Sequence, residues 1–80
     1  MTINLRAFGI AKEIFDTSNL HIDMAEGDTV SLLRSKLEAL FPALNKLGSY
    51  MIAVNNEYAG ELMTIHSNDE VAIIPPVSGG

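Results

Sequence analysis

The feature that most constrains this chain is a single apolar stripe. Val30, Leu33, Leu37, Leu40 and Leu44 follow one another at steps of three, four, three and four, the spacing that aligns side chains along one side of an α-helix. Ser31, Arg34, Ser35 and Glu38 fall on the opposite side. Thr29 stands where an N-cap belongs, since its hydroxyl can accept from a free N–H of the first turn. Pro42 predicts that the regular helix ends at Leu40 or Phe41, because the residue before a proline avoids helical angles. The chain has 80 residues, the length of one domain. Within that length one long helix needs an apolar sheet face to lie on.

The rest of the sequence supplies the strands. Thr2–Ala7 alternates Ile3, Leu5 and Ala7 against Thr2, Asn4 and Arg6, a strand with one buried face. Phe8-Gly9 breaks it, and Ile10–Asp16 predicts a short helical turn with Ile10, Ile14 and Phe15 inward. Asn19–Met24 alternates again, with Leu20, Ile22 and Met24 on one face, and is expected to pair with the first strand across a long connection. Glu26-Gly27-Asp28 is a turn signal before the helix. After it come a strand at Tyr50–Val54, a turn at Asn55-Asn56-Glu57, where Asn tolerates left-handed angles, a short strand at Glu61–Ile65, and a second turn at Ser67-Asn68-Asp69. Glu70–Ile74 is apolar on both faces, which places the last strand inside the sheet. The fold class expected is α+β: a β-grasp, ubiquitin-like fold with a mixed sheet of four or five strands and one main amphipathic helix on one face. Residues 1–74 form the domain, and residues 75–80 an extended, flexible C-terminal tail.

Composition removes several kinds of chemistry. There is no Cys, hence no disulfide, Cys-based zinc site or Cys nucleophile. Ten acids against five bases give a net charge of −5, which argues against nucleic acid and against an anionic membrane surface. No cationic start followed by an apolar block precedes residue 25, and no apolar run approaches a bilayer span, so the cytoplasm is the expected location. His21 and His66 have no second ligand at metal-binding spacing and read as surface residues. Glu26 with Asp28, and Asp69 with Glu70, are turn charges. The four Met residues read as an initiator and core filler. No phosphate-binding glycine loop or nucleophile elbow is present, so no catalytic residue and no metal site is assigned.

What remains is the end of the chain, IIPPVSGG. Ile74 precedes a proline and is held extended. Pro75 and Pro76 have no N–H, so they stop a sheet ladder and stiffen the chain beyond it. Pro75, Pro76, Val77, Ser78, Gly79 and Gly80 span roughly 20 Å when extended, enough to enter a cleft on another protein. Gly79 and Gly80 lack a Cβ and fit a tunnel scarcely wider than the backbone. The group delivered is the α-carboxylate of Gly80. Adenylation by ATP would give that carboxylate a leaving group, and a sulfur nucleophile could then displace AMP. Each part also has an ordinary reading: Pro-Pro as a strand stop, Gly-Gly as a loose terminus.

The stretch DEVAIIPPVSGG (Asp69–Gly80) resembles the C-terminus of the small-subunit family of molybdopterin synthase, the ubiquitin-like sulfur carriers of molybdenum cofactor synthesis. LRAFGIAKE (Leu5–Glu13), TVSLLRSKLEALFP (Thr29–Pro42) and AVNNEY (Ala53–Tyr58) extend the resemblance, in order, over nearly the whole chain. The Pro-Pro-Val-Ser-Gly-Gly ending is its specific part. The resemblance implies a carrier that is not itself the catalyst and holds no permanent cofactor. A ubiquitin-activating-like adenylyltransferase would use ATP on Gly80, and a sulfur donor protein would convert it to a thiocarboxylate. Residues 75–80 would insert into the large synthase subunit, which supplies catalytic lysines. There sulfur would pass to cyclic pyranopterin monophosphate. The complex implied is a heterotetramer with two small subunits on a large-subunit dimer. Phe8 and Ile74 match positions where the family presents apolar residues to partners; core packing is their other reading. Relatives often carry aromatics before the prolines, where this chain has Ile73-Ile74. Alternative roles are a sulfur carrier for thiamine or cysteine synthesis, a protein modifier joined through Gly80, or a β-grasp interaction module.

Overall fold

The computed structural model describes residues 1–76. The element order is β1 (Thr2–Ala7), α1 (Gly9–Phe15), β2 (Asn19–Asp23), α2 (Val30–Leu40), a 3-10 turn (Pro42–Leu47), β3 (Met51–Val54), β4 (Glu57–Tyr58) and β5 (Val71–Ile74). The sheet runs β2-β1-β5-β3-β4. β1 pairs antiparallel with β2 and parallel with β5, while β3 pairs antiparallel with both β5 and β4. This is the β-grasp arrangement, with the last strand at its centre as its apolar sequence requires.

The core lies between α2 and one face of the sheet. Ile3, Leu5 and Ala7 point inward from β1, and Val71 and Ile73 from β5, meeting Val30, Leu33 and Leu37 of the helix. Thr29 caps α2 as its sequence predicts, its Oγ1 accepting from the Leu32 N–H at 3.4 Å. The apolar stripe departs from a straight line at its end. Leu40 is 57% exposed, and Leu44 is buried on the 3-10 turn rather than on the α-helix. Pro42 turns the chain there, so Phe41 and Leu44 close that end of the core instead, Phe41 lying 4.8 Å from the Phe15 ring.

Three further expectations need correction. Glu61–Ile65 is not a strand. Its backbone serves the helix start: the carbonyls of Met63 and Glu61 accept from the N–H groups of Val30 and Ser31, two of the donors that every helix N-terminus leaves free. The fifth strand is β4, two residues long, formed because Asn55 and Asn56 adopt φ of 53° and 70° and make a two-residue hairpin loop. In α1 Ala11 and Phe15 are buried and Ile14 packs half-buried against the core, as expected for Ile14 and Phe15, whereas Ile10 is exposed. Of the methionines, Met24 fills the core, whereas Met51 and Met63 are exposed.

The hairpin loop is tied to the approach to β5. The Asn55 side-chain amide donates to Asp69 Oδ1 (2.9 Å), and its carbonyl accepts from the Glu70 N–H (3.0 Å). Asp69 Oδ2 also accepts from the His66 N–H at 2.8 Å. That bond, and then the Asn55 amide, hold the Asp69 carboxyl below the usual carboxylate range. Among the described residues, no helix is long and apolar enough to cross a membrane.

Candidate functional site

Strand alternation gives the sheet a second face, turned away from α2. On β1 it carries Arg6, and on β5 it carries Ala72 and Ile74. The parallel register sets Arg6 beside Ala72 and Ala7 beside Ile73. Both strands therefore leave the sheet at one level, Phe8 near Ile74. On the other flank of β5, Ala53 pairs with Ala72 across the strands and with Tyr58 on β4.

These residues line a shallow depression of about 400 Å³. Its apolar wall is made by Phe8, Tyr58, Ala72 and Ile74, and Arg6 and Glu70 supply charge at its margin. Phe8 is 46% exposed and Tyr58 67%. The Arg6 guanidinium lies 5.7 Å from the centre of the Phe8 ring, an arrangement in which the cation faces the electron-rich side of the aromatic. An apolar centre with a charged margin is the anatomy of a protein-docking patch. Phe8 is thus an outward residue, and core packing does not describe it. Ile74 is half-buried on the same outer face.

β5 stops at Ile74 beside this patch. Pro75 is half-buried and Pro76 exposed, neither within a strand. Val77, Ser78, Gly79 and Gly80, the part of the tail assigned to delivery, lie outside the described residues. The root of the tail therefore begins at the edge of the outer-face patch, directly after Ile74.

His21 and His66 are both exposed, and no group of three or more metal-ligating side chains occurs among the described residues. Tyr50, whose phenol is strongly shifted, sits on the helix side. Burial pushes its pKa well up, helped by the hydrogen bond it donates to Glu38 at 2.5 Å, while the Arg34 guanidinium lies 4.6 Å from the centre of its ring. That phenol stays protonated and braces α2 against the start of β3.

Of the residues that line this depression, sequence reasoning singled out Phe8 and Ile74 and did not single out Tyr58, Arg6 or Glu70. A signal for Tyr58 existed: an Asn-Asn loop long enough for a tight hairpin predicts a strand immediately after it, and Tyr58 is the aromatic on that strand.

Known proteins agree with this architecture. The model of the ThiS family matches residues 5–80. The molybdopterin synthase sulfur carrier subunit of Dictyostelium discoideum is 40% identical over 78 residues, covering 91% of this chain and 90% of that protein. Two solved structures superpose along the full length of both chains. One is SAMP1 from Haloferax volcanii, with 25% identity and a TM-score of 0.84. The other comes from the protein–protein complex of subunits 1 and 2 of molybdopterin-converting factor from Helicobacter pylori, with 27% identity and a TM-score of 0.69. With its sequence matched from the first strand to the final glycine, this chain belongs to the ThiS family.

Proposed function

We propose that this protein is the sulfur carrier subunit of a molybdopterin synthase. The observation that carries this reading is the placement of the tail's root: the central strand ends at Ile74 and the prolines begin beside an exposed apolar patch of Phe8, Tyr58 and Ile74. A partner gripping that patch would receive the tail in a fixed place. The Dictyostelium relative's name and the two-subunit complex from Helicobacter pylori support a large synthase subunit as that partner.

In this reading the chain's reactive group is the Gly80 carboxylate. A ubiquitin-activating-like enzyme joins it to AMP from ATP, releasing pyrophosphate. Attack by the outer sulfur of a donor protein's persulfide forms a carbon–sulfur bond as the carbon–oxygen bond to AMP breaks. A second thiol then attacks the donor's inner sulfur, forming a disulfide with it as the sulfur–sulfur bond of the acyl disulfide breaks, and a thiocarboxylate is released. Residues 75–80 then thread into the large subunit of a heterotetramer, where the sulfur passes to cyclic pyranopterin monophosphate. Gly79 and Gly80 present no side chain to the walls of that channel. The domain's own contribution is to bind, aim and hold.

The test is intact mass after incubation with ATP, an activating enzyme and a sulfur donor, followed by addition of the large subunit and precursor. Replacement of one oxygen by sulfur at the terminus, then formation of molybdopterin, is the expected result. Deleting Gly80 or extending the chain past it is expected to abolish transfer with the fold intact. Absence of exchange overturns the carrier reading, and conjugates on lysines of other proteins favour a modifier.

A further inference from the structure

We propose that Gly9 is a positioning residue for sulfur delivery: its bare Cα seats the Pro75 ring and sets the direction in which the tail leaves the domain. The proposal rests on the carrier function above and concerns how the tail is aimed.

The geometry begins with the parallel pairing of β1 and β5. Ala7 lies beside Ile73, so two residues further on Gly9 and Pro75 come side by side at the sheet's end. Here β1 must turn into α1. Phe8 is still extended (φ −126°, ψ 153°), and the turn is made at Gly9 with a φ of +55°. A left-handed angle alone would accept asparagine, as at Asn55 and Asn56 in this same chain. Gly9 has a second constraint. A Cβ built there would lie 3.3 Å from Pro75 Cγ, closer than ordinary van der Waals contact. The other described glycines differ: a Cβ at Gly27, Gly48 or Gly60 would meet nothing within 4 Å, although Gly27 and Gly48 also have positive φ. Gly9 is thus the glycine, among the described residues, whose missing side chain makes room for another segment, and that segment is the root of the tail.

Pro75 and Pro76 have fixed φ, so a tilt imposed at the first is carried outward. Over the roughly 6 Å spanned by the two prolines, a tilt of about 10° shifts the point where the rest of the tail begins by about 1 Å. A misplacement of about 1 Å from a change away from the chemistry costs orders of magnitude in rate. Gly9 itself does not line the docking patch, so the penalty is expected to fall more on the transfer step than on association.

Gly9→Asn tests this, since asparagine keeps the left-handed backbone and presses a Cβ on Pro75. Folding is followed by circular dichroism and thermal melting, and transfer from the thiocarboxylated carrier by kcat and by KM for the carrier. The expected result is a native fold, kcat reduced by about tenfold or more, and KM changed by less than about threefold. Gly9→Ala adds the same Cβ and is expected to lower kcat by a similar factor, with a lower melting temperature than Gly9→Asn because alanine tolerates a positive φ less well than asparagine. In a Pro75→Ala background, where the ring is gone, Gly9→Asn is expected to cost little further kcat, a coupling that two independent sites would not produce. A Gly9→Asn protein with wild-type kcat overturns the proposal, and so does an equal penalty in the Pro75→Ala background. If the wild-type protein accepts no sulfur, the carrier reading fails instead. The seat is then judged by proton NMR: a contact between the Gly9 Hα and Pro75 Hγ protons supports it, and its absence overturns it.

Discussion

Tyr58→Ala offers a direct test of the outer-face patch. Tyr58 is 67% exposed on the two-residue strand β4. A tyrosine side chain offers about 200 Å², so about 130 Å² is free for a partner to cover. At about 25 cal/mol per Å², complete burial of that area is worth about 3 kcal/mol. Allowing for the hydroxyl and for a partly wet margin leaves about 2 kcal/mol, or about thirtyfold in Kd. The share already packed against the domain is half as large, and β4 is an edge strand, so folding loses about 1 kcal/mol. Leu62, 88% exposed and away from the depression, is the matched control. Calorimetric titration of each variant into the large synthase subunit gives Kd. Tyr58→Ala is expected to weaken binding by about thirtyfold and Leu62→Ala by less than about threefold, with a less negative binding heat capacity for the first alone. Equal losses for the two variants, or native affinity in a folded Tyr58→Ala protein, would refute the assignment of this face.

Two further predictions concern stability. Leu37→Ala removes a side chain with no exposed surface from the contact between helix and sheet, and is expected to cost about 3 kcal/mol by denaturant titration. Leu40→Ala, three residues on but exposed, is expected to cost less than about 0.5 kcal/mol. Asp69 makes stability depend on pH. Its carboxyl is held below its ordinary value by the His66 N–H and the Asn55 amide, so the folded state favours the charged form. That contribution is complete above the unfolded pKa of about 4 and is lost as pH falls through the lower folded value. The gap in melting temperature between wild type and Asp69→Asn is therefore expected to be widest near neutral pH and to narrow in acid. A gap that stays constant with pH would show that the Asp69 charge plays no part.

Much of this was legible along the chain. β1 matches its expected residues, β2 matches but for one residue at its end, and Thr29 caps α2. β5 takes the centre of the sheet as an all-apolar strand must. These features depend on local rules: alternation with a period of two, a stripe with a period near 3.6, and a hydroxyl ahead of a helix. The misreadings share a different cause. Glu61–Ile65 carries three apolar residues between turn signals, enough to suggest a short strand, yet the carbonyls of Glu61 and Met63 are taken by free N–H groups of a helix about 30 residues earlier in the sequence. Leu40 keeps the periodicity of its stripe, yet the core had already been closed by Phe41 and Leu44. Periodicity reports which residues share a side; it does not report how far the facing layer extends.

The same division applies to function. The residues of the tail and the absence of Cys are facts of composition and order, and they suffice to direct attention to Gly80. The sequence by itself also determined the β-grasp class, because one helix stripe and its set of alternating strands leave one economical way to bury their apolar faces. Only the tertiary structure decided which apolar residues would be left outside. Phe8, Tyr58 and Ile74 come from three separate strands or strand ends, and it is the register of β1, β5, β3 and β4 that gathers them into one patch. It also decided that Gly9, unremarkable as a strand break, lies against Pro75. Contacts between residues 66 positions apart are set by strand pairing, and no local pattern in the sequence encodes them.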